Sequence, residues 1–332
     1  MGSRKDKSTT GLAVEHLQGV HLVDSILWLD APRKADLCFI SHAHFSTSLT
    51  HEKVFLSEAT AILAEGLIEP HRTLVSPMLR NFALGGLDLS LHPSGHMLGA
   101  SQLLIRREQE RLAYTGHFDL NPRRLGEQGR ILDCEHLLIH AQHAEDLPAR
   151  EQEEKALTTW AKSQLAKKRQ PVLLCQGLGT AQELAALLAE KGLSCTHLRA
   201  LSPAFRAYRQ LGSKQAISRA HRGGGKTDEV LLAPHHLAQS KPIARLTRAS
   251  LAQVSGRRNT HKDPSVEKHF FISSHADRKT VMRYAQNCRA RRITLLGPAA
   301  EPLAVRLRDK GLRAWALRIP NQLQLDLKPS AT

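Results

Sequence analysis

Two textures of apolar and polar positions divide the chain near Pro148. Before it, apolar runs of about five residues alternate with turn residues, at 25–29, 37–41, 87–91, 101–105 and 111–115. Runs of that length, some with period-2 alternation, predict strands. One helix is expected over 58–67. After Pro148 the pattern becomes helix, strand, helix: a helix over 150–167, a buried strand over 171–175, and a helix over 180–191 that Gly192 ends. A strand at 193–198, a helical stretch at 203–212, a loop over 218–228 and a strand at 229–233 follow. The polar, basic stretch 255–268 reads as a return linker. A strand from 270, a helix over 279–290, a strand at 292–296 and a helix over 301–310 close the pattern. The class is α/β. Such alternation predicts an α/β region (147–268) inserted between two parts (12–146 and 269–325) of another layered domain, behind a polar, disordered tail at 1–11.

The length of 332 residues agrees with about two domains. No apolar run approaches the roughly 18–20 residues that span a bilayer, so no membrane partner is expected. The start, Met1-Gly-Ser-Arg-Lys-Asp-Lys, has no apolar stretch behind it and does not read as a secretory signal. Five scattered cysteines without C-x-x-C spacing fit a reducing cytoplasm and argue against a disulfide scaffold or a cysteine zinc finger. The net charge is +16, and it is uneven: residues 241–332 hold 19 Lys and Arg against 6 Asp and Glu. A basic C-terminal third is the footprint of a polyanion partner, DNA or RNA. Aromatics make up only 4% of the chain, so contacts to phosphates are expected rather than base stacking.

The chain has 19 histidines, and several follow predicted strands directly. Ser41-His-Ala-His44 follows the run from Leu37, Gly95-His96 follows Leu89-Ser-Leu, and Gly116-His117 follows Ala113-Tyr-Thr. His140 and His143 follow Leu137-Leu-Ile, and Ser274-His275-Ala-Asp277 follows Phe270-Phe-Ile. Histidines at successive strand ends can converge on one sheet edge, where a metal site is built. Gly225-Lys226-Thr227 imitates the end of a phosphate-binding loop, but Ala220 stands where the first glycine belongs and no apolar strand precedes it. Asp30, His275 and Asp277 with Ser41 or Ser274 would make a hydrolytic triad, yet no G-x-S-x-G elbow occurs.

The order of these motifs resembles the metallo-β-lactamase-fold nucleases of the β-CASP group, over about residues 12–320. The short bacterial form, known as ligase-associated DNA exonuclease or mRNA 3′-end processing factor, matches best. Leu29-Asp30-Ala-Pro resembles the first motif, and Phe39-Ile-Ser-His42-Ala-His44 the start of H-x-H-x-D-H. Pro93-Ser-Gly-His96-Met-Leu-Gly resembles the third motif and Tyr114-Thr-Gly-His117-Phe the Y-T-G-D-F of the fourth. Pro171-Val-Leu-Leu-Cys-Gln-Gly-Leu-Gly-Thr is similar to the opening of the β-CASP cap, and Ser274-His275-Ala-Asp277 to S-D-H-A-D. The resemblance implies an αββα sandwich with an inserted α/β cap, and as partners DNA or RNA with a ligase or other repair or processing proteins.

The departures from the pattern are specific. The family's Asp and final His fall on Ser46 and Thr47, its bridging Asp on His117, a further acidic residue on His140, and its last histidine on Leu296. The resemblance therefore implies one zinc at His42, His44, His96 and His117, and no two-metal centre, because a bridge needs two oxygens where an imidazole offers one lone pair. Four imidazoles would make a closed site of the structural kind. Two functions follow as expectations. One is a nucleic-acid-binding pseudo-nuclease, with Arg257, Arg258, Lys262 and Arg278 as phosphate contacts and Asp30, His275 and Asp277 kept from the old active site. The other is a weak one-metal phosphodiesterase or exonuclease. The need for an open coordination position favours the first.

Overall fold

The computed structural model describes residues 12–16, 19–44, 50–221, 228–256 and 263–317. Ser46, Thr47, Gly225, Lys226, Thr227, Arg257, Arg258, Lys262 and the tail 1–11 lie outside the described residues.

The first sheet holds six strands in chain order, β1 (Val14–His16), β2 (Val20–Leu22), β3 (Leu27–Leu29), β4 (Leu37–Phe39), β5 (Lys53–Ser57) and β6 (Thr73–Ser76). β1 to β3 pair antiparallel and β3 to β6 parallel. Helix α1 (Glu58–Leu63) follows β5, capped by the Ser57 hydroxyl, which accepts from the Thr60 amide at 3.1 Å. It is shorter than the 58–67 expected, since the chain turns at Gly66, whose φ is +78°.

A second sheet begins with β7 (Asn81–Leu84), β8 (Leu87–Pro93), β9 (Ser101–Arg107), β10 (Glu110–Tyr114) and β11 (His136–His140). The chain then builds a third sheet, entirely parallel. Its strands are β12 (Gln170–Cys175), β13 (Cys195–His197), β14 (Arg219–Ala220), β15 (Val230–Pro234), β16 (Ala249–Ser255) and β17 (Val266–Phe271), in the order β14-β13-β15-β12-β16-β17. Its helices include α2 (Arg150–Ala166), α3 (Thr180–Glu190) and α4 (Ser202–Gln210). β17 runs to Phe271, three residues past the expected boundary at 268. After the short α5 (Lys241–Ala244) and α6 (Arg278–Asn287), β18 (Arg292–Leu296) returns to the second sheet beside β11, and α7 (Ala300–Asp309) leads to β19 (Ala314–Ala316).

Side-chain alternation explains how these layers stack. Leu103 and Ile105 of β9, Leu112 and Tyr114 of β10 and Leu138 of β11 face the first sheet, in one core with Leu29, Phe39 and Phe55. Their neighbours Leu104, Ala113, Leu137 and Ile139 face the other way, onto Val281 and Tyr284 of α6 and Leu303 and Leu307 of α7. Both faces of the second sheet are thus buried, which is why its strands read as continuous apolar runs. The fold is mixed α/β. Among the described residues, no helix is long and apolar enough to cross a membrane.

Candidate metal centre

Because β9 pairs antiparallel with both β8 and β10, and β10 parallel with β11, the chain leaves β8, β10 and β11 at one edge of the second sheet. His96 follows β8, His117 follows β10, and His140 ends β11. His42 and His44, after β4, and His275, after β17, reach the same place. Ring centroids lie 4.7 Å apart for His42 and His96, 4.7 Å for His42 and His117, and 5.2 Å for His44 and His96. His117 lies 4.1 Å from His140 and 4.7 Å from His275, and His143 is 6.1 Å from His275.

Two Gly-His steps are fixed by backbone geometry. Gly95 has φ +75°, and a Cβ there would sit 2.1 Å from the Asp119 carbonyl oxygen. Gly116 has φ +53°, and a Cβ there would sit 2.5 Å from Cβ of Ser41. Only glycine fits either turn, so His96 and His117 are each held by a main chain that cannot relax. Asp30 fixes the third loop: one of its oxygens accepts from the Ser41 amide at 2.8 Å and the other from the Tyr114 hydroxyl at 2.8 Å. Burial raises its pKa, and these hydrogen bonds oppose the rise.

The hydrogen bonds also assign the tautomers. His44 Nε2 lies 2.8 Å from the Leu178 carbonyl and His96 Nδ1 lies 2.9 Å from the Ser274 carbonyl. A carbonyl only accepts, so both nitrogens carry hydrogen and donate. In the neutral rings the lone pairs then fall on His44 Nδ1 and His96 Nε2, which face each other at 3.1 Å. His42 Nδ1 is 2.9 Å from the Ser41 hydroxyl, and its Nε2 is buried without a hydrogen-bond partner. Donor atoms of these three residues lie within 4.8 Å of one another. Burial, and for His42 and His96 also neighbouring histidines, lowers all three pKa values, which disfavours a shared proton as the bridging cation. Facing lone pairs and an orphaned nitrogen make a donor set that fits a transition metal.

His117 stacks beside His42 but falls outside that set of three donors. Its Nδ1 lies 3.1 Å from His275 Nε2, and these two form a second group with His96. His140 is part-buried, and desolvation pushes its pKa down to about 4. Leu296 pairs with His140 across the parallel strands and packs into the core between the sheets, where it offers no donor. Among the described residues no carboxylate joins either group. Asp277 caps α6, accepting from the Thr280 amide at 2.8 Å, and Arg278 is held by Asp146, with Nε at 2.9 Å from Oδ1.

Arginines that sequence reasoning did not single out stand beside this centre. Arg123 and Arg150 line a cleft of about 1320 Å³ that reaches His275 and is edged by Lys155 and Lys162 of α2 and Lys279 and Arg283 of α6. In the sequence both look like ordinary surface arginines, and nothing there signals that the Arg123 side chain is buried.

No family model matches the chain. It is 27% identical over 329 residues to a probable DNA ligase of Opitutus terrae, an alignment covering 96% of this chain and 32% of the ligase. It is 29% identical over 181 residues to an uncharacterized protein of Synechocystis, covering 47% of this chain and 33% of that protein. The chain thus spans about a third of the length of these curated relatives.

Proposed function

We propose that the protein is a DNA-binding relative of the β-CASP nucleases, with a metallo-β-lactamase-type sandwich, an inserted cap, one histidine-bound metal and little or no nuclease activity. The observation that carries the reading is the pair of lone pairs facing at 3.1 Å on His44 and His96 beside the orphaned His42 Nε2. Two facing sheets backed by α6 and α7, and an all-parallel sheet inserted between β11 and β18, support the sandwich and cap. The probable DNA ligase among the relatives supports DNA over RNA and a repair or ligation setting. A metal on His42, His44 and His96 would supply Lewis-acid stabilisation of a phosphoryl oxygen. The chain's own residues do the rest: Asp30 holds the loop that carries His42, while the Leu178 and Ser274 carbonyls fix the tautomers of His44 and His96. No carboxylate stands in either histidine group to bridge a second ion or take a proton from water, and that absence among the described residues supports weak catalysis.

A second reading, a one-metal phosphodiesterase, is favoured by the pairing of His117 with His275. A metal held at His42, His44 and His96 would then have three histidine ligands rather than four, which would leave a position open. A nuclease assay on metal-loaded protein separates the two. Slow or absent cleavage, raised when Ser46→Asp, Thr47→His, His117→Asp, His140→Glu and Leu296→His are introduced together, supports the first reading. Turnover at many per minute, abolished by His96→Ala, establishes the second.

A further inference from the structure

The segment before β11 is tied to α6 at two main-chain amides. The Leu132 amide donates to the Tyr284 hydroxyl at 3.1 Å, and the Cys134 amide donates to the Cys288 carbonyl at 3.0 Å. The two thiols meet at the second tie. The Cys288 thiol donates to the Ala285 carbonyl at 3.4 Å, and its sulfur accepts a hydrogen bond from the Cys134 thiol. Both side chains are wholly buried, in the core that α6 and α7 make against the second sheet. A main-chain hydrogen bond between two residues is compatible with the Cα separation of about 4.4–6.8 Å that a disulfide spans.

Cys134 lies just before β11, the last strand before the chain leaves for the third sheet. Cys288 caps α6, the first helix after the chain returns from it. A bond between the two would close a ring that contains all of β12 to β17. The sulfurs differ in character. Donation from Cys134 holds the Cys288 thiol below its ordinary range, against the opposing effect of burial. The same hydrogen bond, and then burial, raises Cys134. The thiolate is the form that attacks a peroxide, so Cys288 is the sulfur oxidised first, with Cys134 in contact to resolve it. Burial raises the remaining three thiols, Cys38, Cys175 and Cys195.

We propose that Cys134 and Cys288 form an oxidation site, at which hydrogen peroxide makes a reversible disulfide that staples together the two stretches flanking the third sheet. The Cys288 thiolate attacks one peroxide oxygen and breaks the O–O bond, leaving a sulfenic acid and releasing hydroxide, which takes up the thiol's proton as water. The Cys134 sulfur then attacks the sulfenic sulfur, and its proton leaves with the hydroxyl group as a second water. Two thiols and one peroxide thus give one disulfide and two waters, and a dithiol reductant reverses the bond. Because both thiols are buried, the peroxide enters when the last turn of α6 opens, and the reaction in the native protein is slow.

The test treats the full chain with hydrogen peroxide in EDTA, so that no bound metal drives the oxidation, and then alkylates the remaining thiols in denaturant. Mass spectrometry should show the loss of two hydrogens, restored by dithiothreitol. Trypsin without reductant should release residues 131–150 joined to residues 284–289. The oxidised chain should unfold at a midpoint about 5 °C or more above the reduced chain, because the closed loop is long. Cys134→Ser should abolish the cross-link and leave a sulfenic acid on Cys288 that dimedone traps, and Cys288→Ser should abolish both. The peptide map of the unaltered protein decides the matter if either variant fails to fold. Two thiols that stay open to alkylation, a bond that maps to Cys175 and Cys195 instead, or a bond that leaves the midpoint unchanged would overturn the proposal.

Discussion

Lowering the pH from about 7.5 to about 5 should destabilise the metal-free protein steeply, and His140 sets the scale. Its pKa falls from the ordinary 6.5 to about 4, for the single reason that its surroundings desolvate the ring. The folded state therefore binds fewer protons than the unfolded chain between those two values. Stability from this residue is intact above about 6.5 and is lost as the pH falls toward 4. The difference amounts to about 2 kcal/mol by pH 5 and about 3 kcal/mol once fully developed, at about 1.4 kcal/mol for each pH unit. His42, His44, His96 and His117 are shifted in the same direction, chiefly by burial, so the whole protein should lose more than His140 alone accounts for. Urea unfolding in EDTA at several pH values between these limits reads the effect. His140→Gln, which cannot take up the proton, should flatten the profile by about 2 kcal/mol over that range. A profile that is level down to pH 5, or equally steep in His140→Gln, would refute the reasoning.

Gly95→Ala should cost about 2–5 kcal/mol in a denaturant titration, from the left-handed backbone and the collision with the Asp119 carbonyl. Gly86→Ala, at φ +79° with nothing within 4 Å of the added carbon, should cost only about 1–2 kcal/mol. Tyr114→Phe strips Asp30 of one buried hydrogen bond and should lower stability by about 1–3 kcal/mol, with a matching loss of metal affinity as the Ser41–His42 loop loosens. The pair Arg124 and Glu154, joined by two hydrogen bonds of 2.7 Å, should show a coupling of about 1–2 kcal/mol in a double-mutant cycle of Arg124→Ala and Glu154→Ala.

The strands and helices that alternate cleanly in the sequence stand where their patterns put them. β9 and β10 were legible because Leu103, Leu104 and Ile105, and Leu112 and Ala113, bury both faces of one sheet. β17 was legible only at its end. Glu267, Lys268 and His269 are exposed on an edge strand, so the first residues of Val266–Phe271 read as linker. The three-residue β1 and β2 carry too few positions for a period to show. The Gly-His steps carried the site into the sequence, because a turn that admits only glycine also fixes the next side chain. What the sequence could not carry was the partnering of the atoms. That His117 turns to His275, that two lone pairs face each other, and that Arg123 is buried against the Gly95 carbonyl are properties of side chains from distant segments.

Metal stoichiometry tests the central claim most directly. Purified protein loaded with zinc and dialysed should hold about one equivalent by elemental analysis, and His44→Ala should lose it, because three imidazole donors and no bridging carboxylate hold a single ion. Two tightly bound equivalents, both lost on His44→Ala, would contradict the account.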